Sequence, residues 1–234
     1  LEGFNIKEDT AAVAFAWPHL QSPDRSIRYA ARLAIERNPV SGWQAQALAE
    51  KQPDAAFTAL LALARLGGAE TQPALLKALI AFPFANLSAD QLLNKLRVIE
   101  VSIARQGVPT GDVANKVIAD VDPLYPAKSE SANRELCQVL LALNAPKAVA
   151  KTVALLKSAS TQEEQMVYVI ALRNIKAGWT ESLRREYLSW WNEGRSTEHP
   201  EQVVQWFKDA GINFNNGASF NGFLNNALTE AKAS

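Results

Sequence analysis

Three lysines recur at one relative place in the chain. Lys77, Lys116 and Lys151 each precede an apolar pair (Leu79-Ile80, Val117-Ile118 and Val153-Ala154), and Arg184 and Arg185 fall in a comparable region further on. Cations repeated at the period of a structural repeat can align as a ladder, which would draw in an anionic partner such as an acidic polysaccharide by long-range attraction. A solvated, solubilising face is the simpler role for the same residues. Arg28, Arg97 and Arg134 form a second recurring set. There, neighbouring Glu100 and Glu135 point to ion pairs between repeats.

Other reactive residue types are sparse. Cys137 is the single cysteine and lies inside an apolar run, so it reads as a small buried hydrophobe and no intramolecular disulfide can form. His19 and His199 are far apart and each adjoins a proline. The sequence holds no HExxH, no Cys/His cluster, no CxxCH, no GxSxG, no P-loop and no GxGxxG. No catalytic residue, metal site or cofactor is therefore expected in this segment. Glu163 and Glu164 suit a helix first turn, where carboxylates complement the macrodipole. Aromatics gather toward the C-terminus, from Trp179 to Phe223. They read as a cap over the last repeat, with a stacking platform for sugars or bases as the alternative.

The elements that would hold these residues follow from a repeated helix ending. RYAARLAIERN (28–38), FTALLALARLG (57–67), RVIEVSIARQG (97–107) and RELCQVLLALN (134–144) each end on Gly or Asn, and MVYVIALRNIK (166–176) is followed by Gly178. Gly and Asn accept the left-handed conformation that stops a helix, so Asn38, Gly67, Gly107 and Asn144 are expected to adopt it. In the first copy Ala30, Leu33 and Ala34 fall at helical spacing and mark a buried face. The stops lie 29 to 40 residues apart, the period of helical-pair repeats.

This predicts an all-α fold, an α-solenoid of HEAT-like helical pairs forming a single domain over 1–234. A leading half-unit spans 8–20, where Pro18 ends the helix. Five pairs follow over 24–193: 24–37 with 41–51, 53–66 with 70–81, 88–105 with 110–121, 129–143 with 146–158, and 161–175 with 180–193. Asp24 and Ser41 are expected N-caps, and Ser88–Gln91 and Thr161–Glu164 expected capping boxes. The loop DPLYP (122–126) cannot be helical throughout. A polar linker over 192–201 leads to a C-terminal cap over 199–231, with helices around a Gly- and Asn-rich stretch at 211–222.

Lys plus Arg and Asp plus Glu both number 24, so the net charge is zero. That argues against a dedicated nucleic-acid binder, which needs a basic excess. No segment approaches the ~20 apolar residues needed to cross a bilayer, so no membrane insertion is expected. The chain begins with Leu1, shows no signal-peptide pattern at its start, and reads as a piece of a longer protein.

SPDRSIRYAARLAIERNPVSGW (22–43), DPLYPAKSESANRELCQVLLALNAP (122–146), TQEEQMVYVIALRNIKAGWT (161–180) and GASFNGF (217–223) resemble the HEAT-like regions of large exported proteins from planctomycete- and verrucomicrobia-type bacteria. In that family the helical region lies between a propeller-type, sugar-dehydrogenase-like domain and a C-terminal c-type cytochrome domain. The resemblance implies an exported, periplasmic or envelope-associated multidomain protein. It assigns neither haem nor propeller chemistry to these residues.

Three functions fit the sequence. The first is a non-catalytic scaffold that binds a protein partner or flanking domains of its own chain. The second is a binding module for an anionic ligand through Lys77, Lys116, Lys151, Arg184 and Arg185. The third, a HEAT-like DNA glycosylase, is disfavoured by the balanced charge.

Overall fold

A computed structural model describes residues 10–193. These residues are helical or in loops, with no strand among them. The chain divides into two compact units, Leu1–Ile175 and Lys176–Ser234.

The first unit opens with α1 (Thr10–Ala16), which runs into a 3-10 turn over Trp17–Gln21. The α-helix stops at Ala16, ahead of Pro18 as expected, and Pro18 itself sits in the first turn of the 3-10 segment, where no backbone donor is needed. Then come α2 (Arg25–Glu36), α3 (Gln44–Ala49), α4 (Pro53–Leu66), α5 (Gln72–Ile80), α6 (Ala89–Gln106), α7 (Gly111–Val121), α8 (Glu130–Ala142), α9 (Ala148–Ser158) and α10 (Gln162–Leu172).

Helices α2, α4, α6, α8 and α10 each pack against the next. Among the second helices, α3 packs on α5 and α5 on α7, while α9 packs on α8 and α10. Helix α4 is central to this arrangement. Ala55, Ala56, Phe57, Ala59, Leu60, Ala62, Leu63 and Ala64 are all buried, so it is covered on most sides, and its alanines admit close neighbours. In α2 the buried set is Ala31, Ala34 and Ile35. The face is rotated from the expected one, since Ala30 and Leu33 remain half-buried.

The expected caps are partly realised. Asp24 accepts hydrogen bonds from Ser26 N at 2.7 Å and Ile27 N at 3.3 Å. Ser88 and Gln91 form the reciprocal box, with Gln91 N donating to Ser88 Oγ at 3.2 Å and Ser88 N to Gln91 Oε1 at 3.1 Å. Thr161 caps Glu164 N at 3.2 Å, but the Glu164 carboxylate instead accepts from the Tyr168 hydroxyl at 3.1 Å, so that box is half made. Ser41 is no cap: it lies in a 3-10 turn over Val40–Gly42, and α3 starts after Trp43 without a side-chain cap. Over 122–126, Asp122–Leu124 make one 3-10 turn and the Tyr125–Pro126 bond is cis.

The four helix stops are built in different ways. Only Asn144 is a left-handed non-glycine among the described residues, with φ 52°. Gly107 has φ 95° and ψ 169°, a region that essentially only glycine enters. Gly67 is extended, with φ −69° and ψ 148°, so the left-handed expectation fails there. Room is the reason for this glycine: a Cβ would stand 2.5 Å from Thr71 Oγ1 and 2.7 Å from the Leu63 carbonyl oxygen. Asn38 also lacks a positive φ. Its buried side chain ends α2 by donating to Ala34 O at 2.9 Å, while its own carbonyl accepts from Trp43 Nε1 at 3.1 Å.

The second unit, as described, holds α11 (Glu181–Glu193). Trp179, Tyr187, Trp190 and Trp191 form a chain of ring contacts with centroids 5.1 to 6.2 Å apart. The expected pairing of 161–175 with 180–193 therefore divides between two compact units. The end of the expected linker, His199 and the cap over 199–231 lie outside the described residues. Among the described residues no helix is long and apolar enough to cross a membrane.

Candidate anion-binding site

Helix α2 carries Arg25, Arg28, Tyr29 and Arg32 at i, i+3, i+4 and i+7, which is one face of a helix. The Asp24 cap fixes where α2 starts, and burial of Ala31, Ala34 and Ile35 fixes its rotation. Phe57, Thr58 and Leu61 of α4 lie beside that face, and Asn94 and Arg97 of α6 lie beyond them. Together these side chains line a cavity of about 300 Å³ whose lining holds four arginines and no carboxylate.

Each arginine has a different degree of freedom. Arg25 is exposed, and no described carboxylate pairs with it. Arg28 is held by neutral groups: its Nη1 donates to the carbonyls of Ser22 at 2.6 Å and Pro23 at 3.0 Å. Arg32 is the most enclosed. Its side chain is 14% exposed, its Nε lies 3.2 Å from Glu36 Oε1, and its guanidinium sits 5.2 Å from the centroid of the Tyr29 ring. Burial lowers the Arg32 pKa against the opposing pull of Glu36, and Arg65 lowers it further. Glu36 is shared, because Arg65 Nε reaches the same Oε1 at 2.9 Å.

Arg97 is the cation of the far wall. It contacts Glu100 Oε2 at 3.1 Å within α6 and Glu135 Oε1 of α8 at 3.3 Å, as the recurring Arg and Glu positions led one to expect. Burial pushes the Glu100 carboxyl up to about 7, helped by Glu135 beside it and opposed by Arg97. Glu135 Oε2 is buried and receives no hydrogen bond from a fixed donor. A proton on Glu100 would supply one, which ties the two carboxyls together. Arg134 pairs with Glu130 one helical turn away.

The lysine ladder is not uniform. Lys77 on α5 and Lys116 on α7 are exposed, and their helices pack together. Lys151 on α9 is different, since its Nζ donates to the Asp122 carbonyl and to Asp122 Oδ1, both at 2.8 Å. It braces α9 to the loop after α7 and is not a free cation. Arg184 and Arg185 are exposed on α11 in the second unit, where Arg185 pairs with Glu181 at 2.6 Å.

Cys137 is fully buried, with its Sγ 3.8 Å from Thr152 Oγ1, and burial raises its pKa to about 11. That environment suppresses the thiolate.

Repeat alignment singled out Arg28 and Arg97 but missed Arg25 and Arg32, which have no counterparts in the other copies. The available signal was local: arginines at i, i+3 and i+7 of a single helix. No protein-family model, curated protein or solved structure matches the chain.

Proposed function

We propose that the chain is a non-catalytic interaction scaffold, an α-solenoid of HEAT-like pairs that holds a protein partner or neighbouring domains through an anionic group seated in the arginine cavity. The single observation that carries this reading is the convergence of three α2 arginines and one α6 arginine on a cavity lined by no carboxylate. Guanidinium groups present planar donor forks suited to oxyanions and keep their charge when partly buried. The side-by-side packing of α2, α4, α6, α8 and α10 supports the solenoid part of the proposal. The exported, envelope-associated setting implied by the family resemblance belongs to the same proposal.

The test is a titration with sodium sulfate at low ionic strength, followed by NMR of arginine and lysine side-chain signals. Saturable shifts at Arg25, Arg28 and Arg97 are expected. Shifts confined to Lys77 and Lys116 would favour the lysine face as the ligand surface. No saturable shift anywhere would remove the anion-binding reading altogether.

A further inference from the structure

We propose that the arginine cavity selects a phosphate monoester dianion over a carboxylate, an inference that rests on the anion-binding reading of this site. Three features of the geometry lead there.

The first is charge. Arg25 and Arg28 have no described carboxylate partner, and Arg32 must share Glu36 with Arg65. Neither Asp24, which accepts from the first-turn amides of α2, nor Asp54, whose Oδ2 accepts from Gln91 Nε2 at 3.0 Å, lines the cavity or pairs with its arginines. Four guanidiniums line the cavity and no carboxylate does, so a monoanion would leave cations facing each other across a small space. A dianion would not.

The second is the number of donors. Two carbonyls occupy Arg28 Nη1, which leaves its Nε and Nη2 edge available, and Arg25 has its whole fork available. Arg97, on the opposite wall at 56% side-chain exposure, gives Nη1 to Glu100 and Nη2 to Glu135 and adds only its remaining N–H groups. A carboxylate has two oxygens in one plane and is satisfied by one fork. A phosphate monoester has three terminal oxygens arranged tetrahedrally and can accept from donors on both walls at once.

The third is the floor. Phe57, Leu61 and the half-exposed Tyr29 ring give the cavity an apolar side. Inorganic phosphate would leave that side wetted, whereas the organic part of an ester would cover it.

The experiment is isothermal calorimetry on the whole chain at low ionic strength with phenyl phosphate, inorganic phosphate and sodium acetate. Phenyl phosphate is expected to bind about tenfold or more tightly than acetate, with inorganic phosphate between them. Arg25→Ala removes an exposed side chain and should leave the helical circular-dichroism signal intact while weakening phenyl phosphate about tenfold. Arg97→Ala should do the same from the other wall. A phosphoserine peptide that binds more tightly than phenyl phosphate would place the ester on a partner protein, and equal affinity would place it on a small molecule. Acetate binding as tightly as phenyl phosphate would overturn the phosphate class and leave the anion site standing. Phenyl phosphate binding that ignores both Arg25→Ala and Arg97→Ala would overturn the site itself. Absence of binding by all three anions would overturn both readings.

Discussion

The side-chain amide of Gln72, at the start of α5, donates at 2.7 Å to the carbonyl oxygen of Gly107, the residue that closes α6. A second glutamine returns the connection. Gln106 Nε2 lies 2.9 Å from Thr71 Oγ1 and 3.3 Å from the carbonyls of both Gly67 and Gly68, at the end of α4. Ser102 joins the two, with its Oγ accepting from Gln72 at 3.2 Å and donating to Gln106 Oε1 at 2.8 Å. Two neighbouring helix ends thus satisfy each other's orphan carbonyls through buried amides.

Gln106→Leu should therefore destabilise the first unit by about 1–3 kcal/mol, because three partly buried acceptors and the buried Ser102 hydroxyl lose a partner together. The repeat pattern alone gives the opposite expectation, since Leu66 and Leu143 stand at the matching place in two other copies. Urea unfolding decides: an unchanged or raised midpoint would show that the network contributes nothing net.

Glycine substitutions should separate two causes of a helix stop. Gly67→Val is expected to cost about 1–3 kcal/mol because the added carbons meet Thr71 and the Leu63 carbonyl, and Gly67→Asn should fare no better than Gly67→Ala. At Gly107 a Cβ would meet nothing within 4 Å, so the cost of Gly107→Ala, about 1–3 kcal/mol, is conformational. Asn144→Gly should be close to neutral, as its φ of 52° suits either residue. Thermal melts of the five variants test this, and rescue of Gly67 by Asn would restore the left-handed reading.

The three recurring lysines should not behave alike. Lys77→Ala and Lys116→Ala are expected within about 0.5 kcal/mol of the parent, as exposed side chains without a described brace. Lys151→Ala should cost about 1–3 kcal/mol, because it strips a charged donor from the Asp122 carboxylate and carbonyl. Equal melting temperatures for all three would show that the Lys151 contact has no net value.

Stability should depend on pH through Glu100. Its carboxyl titrates at about 7 in the folded chain against an ordinary value of 4.5, so the native state holds more proton between those limits. This contribution is complete below about 4.5 and is lost as pH rises through about 7, so stability falls across that window. The loss is on the order of 1–3 kcal/mol. Glu100→Gln keeps a donor for Glu135 Oε2 at every pH and should flatten the profile, gaining on the parent above pH 7. Parallel profiles for the two proteins between pH 4.5 and 8 would remove the assignment.

What was legible in the sequence was whatever repeats or is local. The helix periodicity, the Asp24 and Ser88 caps and the Arg97–Glu135 pairing depend on spacings that survive from copy to copy. The arginine cavity was not legible as a cavity, because it needs α2 and α6 to face each other across α4, and only packing sets that distance. Ser41 misled because a capping residue type carries no information about whether a 3-10 turn will take its place. Gly67 misled because glycine serves both to open φ and to make room, and the sequence writes both with one letter. Lys151 looked like its two counterparts until the turn at Asp122–Leu124 brought an acceptor to it.

The contacts between helices of the first unit have a consequence for how this chain can change in length. A buried glutamine pair joins the ends of α4 and α6, an Arg97–Glu135 contact joins α6 to α8, and Lys151 clasps Asp122. No two of these joints use the same residues, so each fits only its own neighbour, as a key fits one lock. Arrays with interchangeable joints can lengthen or shorten by whole units. Excising or duplicating two consecutive helices here would set mismatched faces together and strand buried polar groups at the new seam.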